Sequence, residues 1–320
     1  MSAPRGPGPG GRPSCRLVLN PVAGKGRAAS RLSEIESLLD ARGLERDLVL
    51  TEGVGHAALL AEEAAREGRG LLVVAGGDGT ANEAINGLMA ARAAGLKPPA
   101  LAVLPVGRGN DFAHGAGFPA GLAEAVELLA KGSRRPLDVG RVTGGDYPQG
   151  RYFGNGVGVG FDTIVGLEAA RMKRVHGFAA YVLGAAKTFL AFPPAPSVAV
   201  SFDGRRVERR AHQISLMNGC RMGGTFFMAP EAKVGDGLLD LCMSGDMTRG
   251  EMLGAILRYT KGSQSELQGF LFARSASFEI EAPDGGLVVH ADGETICVNG
   301  FSLKVECLPG ALELCGVRED

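Results

Sequence analysis

The stretch Leu71-Leu72-Val73-Val74-Ala75 runs without a polar residue into Gly76-Gly77-Asp78-Gly79-Thr80, and a helical pattern follows at once. Ala81, Ala84, Ile85, Leu88 and Met89 share one face of that helix. An apolar strand, a glycine turn and a helix in immediate succession belong to a parallel sheet covered on both faces. Glycines let backbone approach a phosphate closely, and free N–H groups at a helix start attract anions. Thr80 is read as a cap of the helix or a phosphate contact. A tight capped turn with no ligand is the competing explanation, but four specific residues in this context favour phosphate. The pattern Gly-x4-Gly-Lys-Ser/Thr does not occur, so the loop is not of the Walker type.

The same alternation fills the first half. Arg16 to Asn20 reads as a buried strand, and Leu32, Ile35, Leu38 and Leu39 mark a helix that Gly43 ends. Asp47–Thr51 is a second strand, Ala57–Ala65 a helix, and Ala100–Pro105 a fourth strand. After about residue 138 the pattern changes. One helical region, Asp162–Phe192, precedes short strands at Ser197–Phe202, His212–Met217, Leu238–Met243, Ser277–Glu281, Leu287–Ala291 and Ser302–Cys307, with a helix near Glu251–Tyr259. Gly, Asp and Pro turns between them predict an antiparallel sandwich or barrel. The fold class is therefore an N-terminal α/β nucleotide-binding domain with a parallel sheet, followed by a mainly antiparallel β-sandwich domain.

Several loops end strands of the first sheet, at the carboxyl edge where such folds bind ligands. Asn20-Pro21-Val22-Ala23-Gly24-Lys25-Gly26 follows the first strand, and Lys25 could meet a triphosphate as a point charge. Thr51 closes the second strand, and Gly107-Arg108-Gly109-Asn110-Asp111 follows the fourth. Asp111 and Asp138 are acids suited to hold Mg²⁺ through water, although each alone reads as a turn residue. Glycine-bearing loops at one edge favour an ATP–Mg²⁺ crevice. Further on, His290, Asp292 and Glu294 alternate, so an extended chain points them to one face. Asp292 could accept a proton from a hydroxyl and Glu294 could orient Mg²⁺ or its water; a hairpin turn at Asp292-Gly293 is the plainer alternative. In the turn Lys233–Leu238, Asp236 with neighbouring carbonyls could hold a structural cation, or merely form an Asp-Gly turn. Asn155–Asp162 is read as a tight passage between domains. Arg171, Lys173, Arg174 and His176 form a solvated helix face or a contact with lipid headgroups.

A net charge of −1 over 320 residues gives no basic face for nucleic acid. The longest apolar stretch, Val175–Phe192, is broken by His176, Gly177, Gly184 and Lys187, which disfavours a transmembrane segment. Six cysteines without CxxC spacing predict reduced thiols in a cytoplasmic setting. The Pro/Gly-rich residues 1–14 read as a disordered tail rather than a signal.

Taken together these segments resemble the diacylglycerol kinase catalytic-domain family, the soluble bacterial lipid kinases related to sphingosine and ceramide kinases. The resemblance runs from about Arg16 to Val317 and also includes Asn218-Gly219 through Gly223-Gly224 and Ala229-Pro230. It implies ATP in a cleft between a domain of residues 15–139 and a sandwich of residues 140–308. Residues 309–320 return to the first domain, with Ala311–Cys315 as the returning strand. Asp292 would be the general base, and Glu294, Asp111 and Asp138 a Mg²⁺ network. Asp236 with the carbonyls of Lys233 and Leu238 would match a structural Mg²⁺ site. Arg108 departs from the Thr frequent in the family, and Gly235 from a frequent acid. The function implied is ATP- and Mg²⁺-dependent phosphorylation of a hydroxyl on diacylglycerol or a related lipid. The lipid would be drawn from the membrane surface, by a cytoplasmic protein peripheral to the inner face of the membrane. A homodimer is left open. The rivals are an NAD kinase, because Gly76–Thr80 is shared with that family, and a non-catalytic nucleotide- or lipid-binding protein.

Overall fold

A computed structural model of the chain describes residues 15–172 and 178–318. The tail of residues 1–14, and Lys173, Arg174 and His176 of the basic cluster, lie outside the described residues. The first half carries β1 (Cys15–Leu19), α1 (Arg27–Ser30), α2 (Leu32–Asp40), β2 (Arg46–Leu50), α3 (His56–Arg66), β3 (Leu71–Gly76), α4 (Asp78–Ala93), β4 (Ala100–Pro105), α5 (Asp111–Gly115) and α6 (Leu122–Lys131). Strands β2, β1, β3 and β4 lie side by side in that order, all parallel. Leu17, Val18, Val73, Val74, Leu101 and Leu104 are buried between the helices, which is why these strands carry unbroken apolar runs rather than alternation. Because the strands are parallel, the loops after β1, β3 and β4 emerge at one edge.

The second half begins with β5 (Arg134–Gly144), β6 (Tyr147–Phe153), β7 (Gly156–Gly160), α7 (Phe161–Ala170) and α8 (Phe178–Ala191). It continues with β8 (Ser197–Phe202), β9 (Arg205–Arg210), β10 (Gln213–Met217), β11 (Leu239–Met243) and α9 (Arg249–Tyr259). The last strands are β12 (Leu271–Ser275), β13 (Ser277–Glu281), β14 (Leu287–Ala291), β15 (Glu294–Gly300) and β16 (Ser302–Cys315). One sheet runs β12-β11-β10-β7-β14-β15, antiparallel throughout. Its inner residues Val157, Val159, Ile214, Leu216 and Val289 pack with Val200, Phe278, Ile280 and Val305 of β8, β13 and β16. The protein is thus an α/β domain with a parallel sheet followed by an antiparallel β-sandwich, as the sequence predicts.

Four expectations change. The glycine run Asn155–Asp162 is not a passage between domains: it contains β7, a central strand hydrogen-bonded to both β10 and β14. A side chain at Gly158 would place its Cβ 2.2 Å from Asp162 Oδ2 and 2.5 Å from His290 Nε2, so glycine makes room here for a polar pair rather than for a turn. Ala311–Cys315 is not separate from Ser302–Cys307: both belong to the fourteen-residue β16. That strand pairs antiparallel with β13 and β5, shifts register between Leu308 and Leu312, and reaches β4 in parallel at Leu314↔Leu101. The bulge bends one strand from the sandwich into the first sheet. The helical region Asp162–Phe192 is two helices, α7 and α8. Finally, His290, Asp292 and Glu294 do not share an extended face, because Asp292 takes a left-handed φ of 47° and the chain turns there between β14 and β15.

Candidate active site

The glycine loops after β3 and β4 touch. A Cβ on Gly107 would stand 2.4 Å from Gly77 Cα, so only two glycines allow this approach. Helix α4 starts at Asp78 directly behind Gly77, and no side chain caps it. Thr80 is therefore not the cap. It is buried in the first turn, where its Oγ1 accepts a hydrogen bond from Asn20 Nδ2 at 2.9 Å, fastening the end of β1 to α4. The turn after β1 leans on the same place: a Cβ on Gly24 would lie 2.6 Å from the Val106 carbonyl oxygen. Lys25 and Arg108 are exposed on these loops, and Thr51 is buried with its N–H donated to Leu19 O at 2.9 Å. Asn110 has a φ of 52° and donates from Nδ2 to Gly107 O at 3.2 Å, closing the second glycine loop on itself.

Three carboxylates gather beside this contact. Asp78 Oδ1 accepts from the Phe112 N–H at 3.0 Å, and Gly109 separates Asp78 from Asp111. Asp111, buried at the start of α5, accepts from the Gly224 N–H at 2.8 Å and from Arg221 Nε at 2.8 Å. Burial, with the charges of Asp111 and Asp292, pushes the Asp78 carboxyl up to about 6. A carboxyl raised in the folded state binds its proton more tightly there than in the unfolded chain. Its contribution to stability therefore falls as pH rises from about 4 to about 6. Asp78→Asn keeps the acceptor for Phe112 and removes the charge. Denaturant unfolding should show this variant more stable than wild type by about 1–3 kcal/mol at pH 8, the gap closing toward pH 4. Equal stability at pH 8 would mean that the three acids do not repel.

Asp292 is held from four sides. Its carboxylate accepts from Gly154 N (2.7 Å), Asn155 N (3.1 Å), Gly156 N (2.9 Å) and Asn82 Nδ2 (2.9 Å). Burial raises its pKa, while the Gly156 and Gly154 N–H groups and Asn82 act against the rise. The turn that carries it also orders His290, whose Nδ1 accepts from Gly293 N at 3.2 Å, leaving the ring proton on Nε2 facing Asp162 Oδ2 at 3.3 Å. Burial disfavours the imidazolium, but Asp162 and Asp292 outweigh it and raise the His290 pKa. Asp78, Asp111, Asn155, Asp162, His290 and Asp292 line one cavity of ≈350 Å³. Phe112, Leu167, Ala170, Met222, Phe226 and Met228 add apolar wall to it, with Thr163 and Thr295 among its other lining residues.

Other expected site residues stand apart. Asp138 is buried with both oxygens taken, by Gly237 N at 2.6 Å and Gly310 N at 2.7 Å, so it fastens the 233–238 turn and the β16 bulge. Glu294 is exposed at the start of β15. At the 233–238 turn, Asp236 Oδ1 accepts from Leu238 N at 3.1 Å and Oδ2 is paired with Arg274, which also meets Asp240 at 3.2 Å. Arg274 lies opposite Asp240 across β11 and β12. The carboxylate read as a cation ligand is thus paired with a guanidinium.

The donor set at the glycine edge does fit a nucleotide. The uncapped start of α4 leaves its first amides to an anion, and the Gly77–Gly107 contact is a cradle that a Cβ would fill. Mg²⁺ fits less completely. Asp78 stands beside Asp111 and Asp292, but no group of three or more His, Cys, Asp or Glu side chains among the described residues forms a metal site. Phosphate oxygens would have to supply the remaining ligands.

Comparison with known proteins agrees. Residues 14–142 match the model described as "Diacylglycerol kinase catalytic domain", and residues 155–316 match "YegS C-terminal NAD kinase beta sandwich-like domain". A Pseudomonas aeruginosa relative named "Probable lipid kinase YegS-like" is 34% identical over 273 residues, 85% of each chain. The chain belongs to the diacylglycerol kinase family. Within this family, a Bacillus subtilis relative named "Diacylglycerol kinase" is 28% identical and covers 87% of this chain and 89% of its own length. A crystal structure of a diacylglycerol kinase from Bacillus anthracis has the same fold, with a TM-score of 0.70 at 24% identity over 94% of this chain and 96% of that one. Yeast NADH kinase is a more distant likeness in fold alone, with a TM-score of 0.51 at 11% identity over 96% of this chain and 83% of that one.

Sequence reading missed Asn82, Arg221 and Phe112 in this family member. Asn82 and Phe112 lie one helical turn or less beyond the motif residues Asp78 and Asp111, which is the signal that could have found them. Arg221 comes from the other half of the chain, inside the Asn218–Gly224 landmark.

Proposed function

We propose that this chain is an ATP- and Mg²⁺-dependent kinase that phosphorylates a hydroxyl of diacylglycerol or a related lipid. The observation that carries the reading is one cavity lined both by the acid cluster beside the glycine cradle and by apolar side chains. That combination suits a molecule with one reactive hydroxyl and a hydrocarbon body.

The amides of the Gly76–Thr80 and Gly107–Asp111 loops that the protein does not itself bond, as it does Gly107 N to Gly76 O, bind the phosphates, with Asn20 and Lys25 at the rim. Mg²⁺, when bound through Asp78 and Asp111, supplies charge neutralisation on the phosphate oxygens. The apolar wall orients the lipid so that its hydroxyl meets the Asp292 carboxylate, and Asn155 Oδ1, buried and without a partner among the described residues, accepts from the headgroup. The bond from the hydroxyl oxygen to the γ-phosphorus forms as the bond to the ADP oxygen breaks. The proton passes to Asp292. That carboxylate has four donors, so one must let go, and Asn82 is the only side chain among them. Glu294, at the turn, serves the Mg²⁺–phosphate assembly from the solvent side. No helix among the described residues is long and apolar enough to cross a membrane, so the lipid is collected from the membrane surface.

The test is incubation with γ-labelled ATP, Mg²⁺ and mixed micelles carrying a panel of lipids, with NAD as a parallel acceptor. Label in a lipid is expected. Label in NAD alone would move the chain to the rival kinase activity, and tight ligand binding with no transfer would make it a binding protein.

A further inference from the structure

The mechanism above leaves Arg221 without a task. It lies in the loop between β10 and β11, in the second half of the chain, and its side chain crosses to the glycine loop of the first half. Nε donates to Asp111 Oδ1 at 2.8 Å and Nη2 to Gly109 O at 3.0 Å. The backbone is fixed on both sides: the Arg221 carbonyl accepts from Asn155 Nδ2 at 2.8 Å, and Gly224 N is bonded to Asp111. Asn155 N–H is itself one of the donors to Asp292. Arg221 is therefore placed rigidly between the proposed base and the phosphate cradle.

A guanidinium offers five N–H donors. Two are engaged here, and Nη1 has no partner among the described residues, although the side chain is only 16% exposed. A mostly buried cation with unfilled donors stands ready for an anion. The cavity wall contains the three acids of the cluster and Asp162, with His290 as a base and no lysine or arginine; Arg221 does not line it but pairs with Asp111, which does. Lys25 and Arg108 are exposed on the loops, with Lys25 at the rim. A triphosphate entering beside these acids gains from a further, better buried cation besides Mg²⁺ and Lys25.

We infer that Arg221 is a catalytic residue that binds the γ-phosphoryl group of ATP and neutralises the charge spread over its oxygens during transfer. The assignment rests on the kinase reading above. Arginines that act in this way are worth about 10³–10⁵-fold in turnover. Because the contact is to the terminal phosphate, Arg221 should also distinguish ATP from ADP.

The experiment is calorimetric binding of Mg²⁺–ATP and Mg²⁺–ADP, with turnover and thermal unfolding, for wild type, Arg221→Ala and Arg221→Lys. Expected for Arg221→Ala are turnover lower by about 10³-fold, an ATP-to-ADP affinity ratio reduced about tenfold or more, and little change in ADP affinity. Arg221→Lys should recover part of that ratio, because it keeps the charge, but little of the turnover, because it loses the planar fork. Equal losses of ATP and ADP affinity, or turnover within about threefold of wild type, would overturn the assignment and leave Arg221 a clip between Asp111 and Gly109. If Arg221→Ala does not fold, Arg221→Lys decides by the same two readouts. A wild type that binds ATP but labels no lipid would sink the kinase reading, while the affinity ratio would still judge Arg221. A wild type that binds no nucleotide would overturn both.

Discussion

In the Asp292→Asn variant, phosphoryl transfer to lipid falls by about 10²–10⁴-fold while ATP binding persists. The same substitution lowers the unfolding free energy by about 2–4 kcal/mol. Both effects follow from one geometry. The carboxylate offers four acceptor positions and the protein fills them with three backbone N–H groups and Asn82. An amide keeps one oxygen and turns an NH₂ toward donors that now have no acceptor. Backbone strain does not contribute, since asparagine tolerates the left-handed φ of 47° as readily as aspartate. Labelled transfer and denaturant unfolding on one preparation separate the roles. Normal turnover with reduced stability would make Asp292 an anchor of the β6–β7 junction and not a base.

The second large effect is expected at Gly107→Ala, which should weaken Mg²⁺–ATP binding by about 10–100-fold, or roughly 1.4–2.7 kcal/mol. The new Cβ would stand 2.4 Å from Gly77 Cα and 2.6 Å from Asn110 Oδ1, and a backbone atom cannot step aside as a side-chain tip can. The two loops must separate, and amides aligned on one phosphate would no longer converge. Overpacking of this kind also costs about 1–3 kcal/mol of stability. ATP titration of the folded variant is the check. Unchanged affinity would place the phosphates away from the Gly77–Gly107 contact.

How far the sequence could be read depends on how local each signal is. β3, β4 and α3 fall within a residue or two of their expected bounds, and α4 contains the expected apolar face, because apolar runs and helical spacing are imposed by burial of the element's own residues. β5 and β6 carry arginines, glycines and prolines and show no such pattern; they are strands because β16 pairs along β5 and β6 completes the hairpin. β7 was hidden for a related reason. Its glycines look like a loop, yet each is forced by a different neighbour: Gly156 by Met217 and Leu216, Gly158 by Asp162 and His290, and Gly160 by the His212 carbonyl.

The site divides along the same line. Asp78, Asp111 and the glycines around them were legible, since a strand end followed by glycine and an acid places them at one edge of a parallel sheet whatever the rest of the protein does. Asp138 and Asp236 were read as metal ligands from their residue type. The partners the fold gives them, Gly237 and Gly310 for one and Arg274 for the other, could not be read there, since most of them lie far off in sequence. The sequence by itself determined the α/β half, its glycine-rich edge and the acids available there, because these depend on short-range pattern and backbone sterics. Only the tertiary structure decided which acids share a cavity, which are already neutralised, and that Arg221 reaches them. Those outcomes depend on which charges come within hydrogen-bonding distance, and strand pairing across the whole chain sets that.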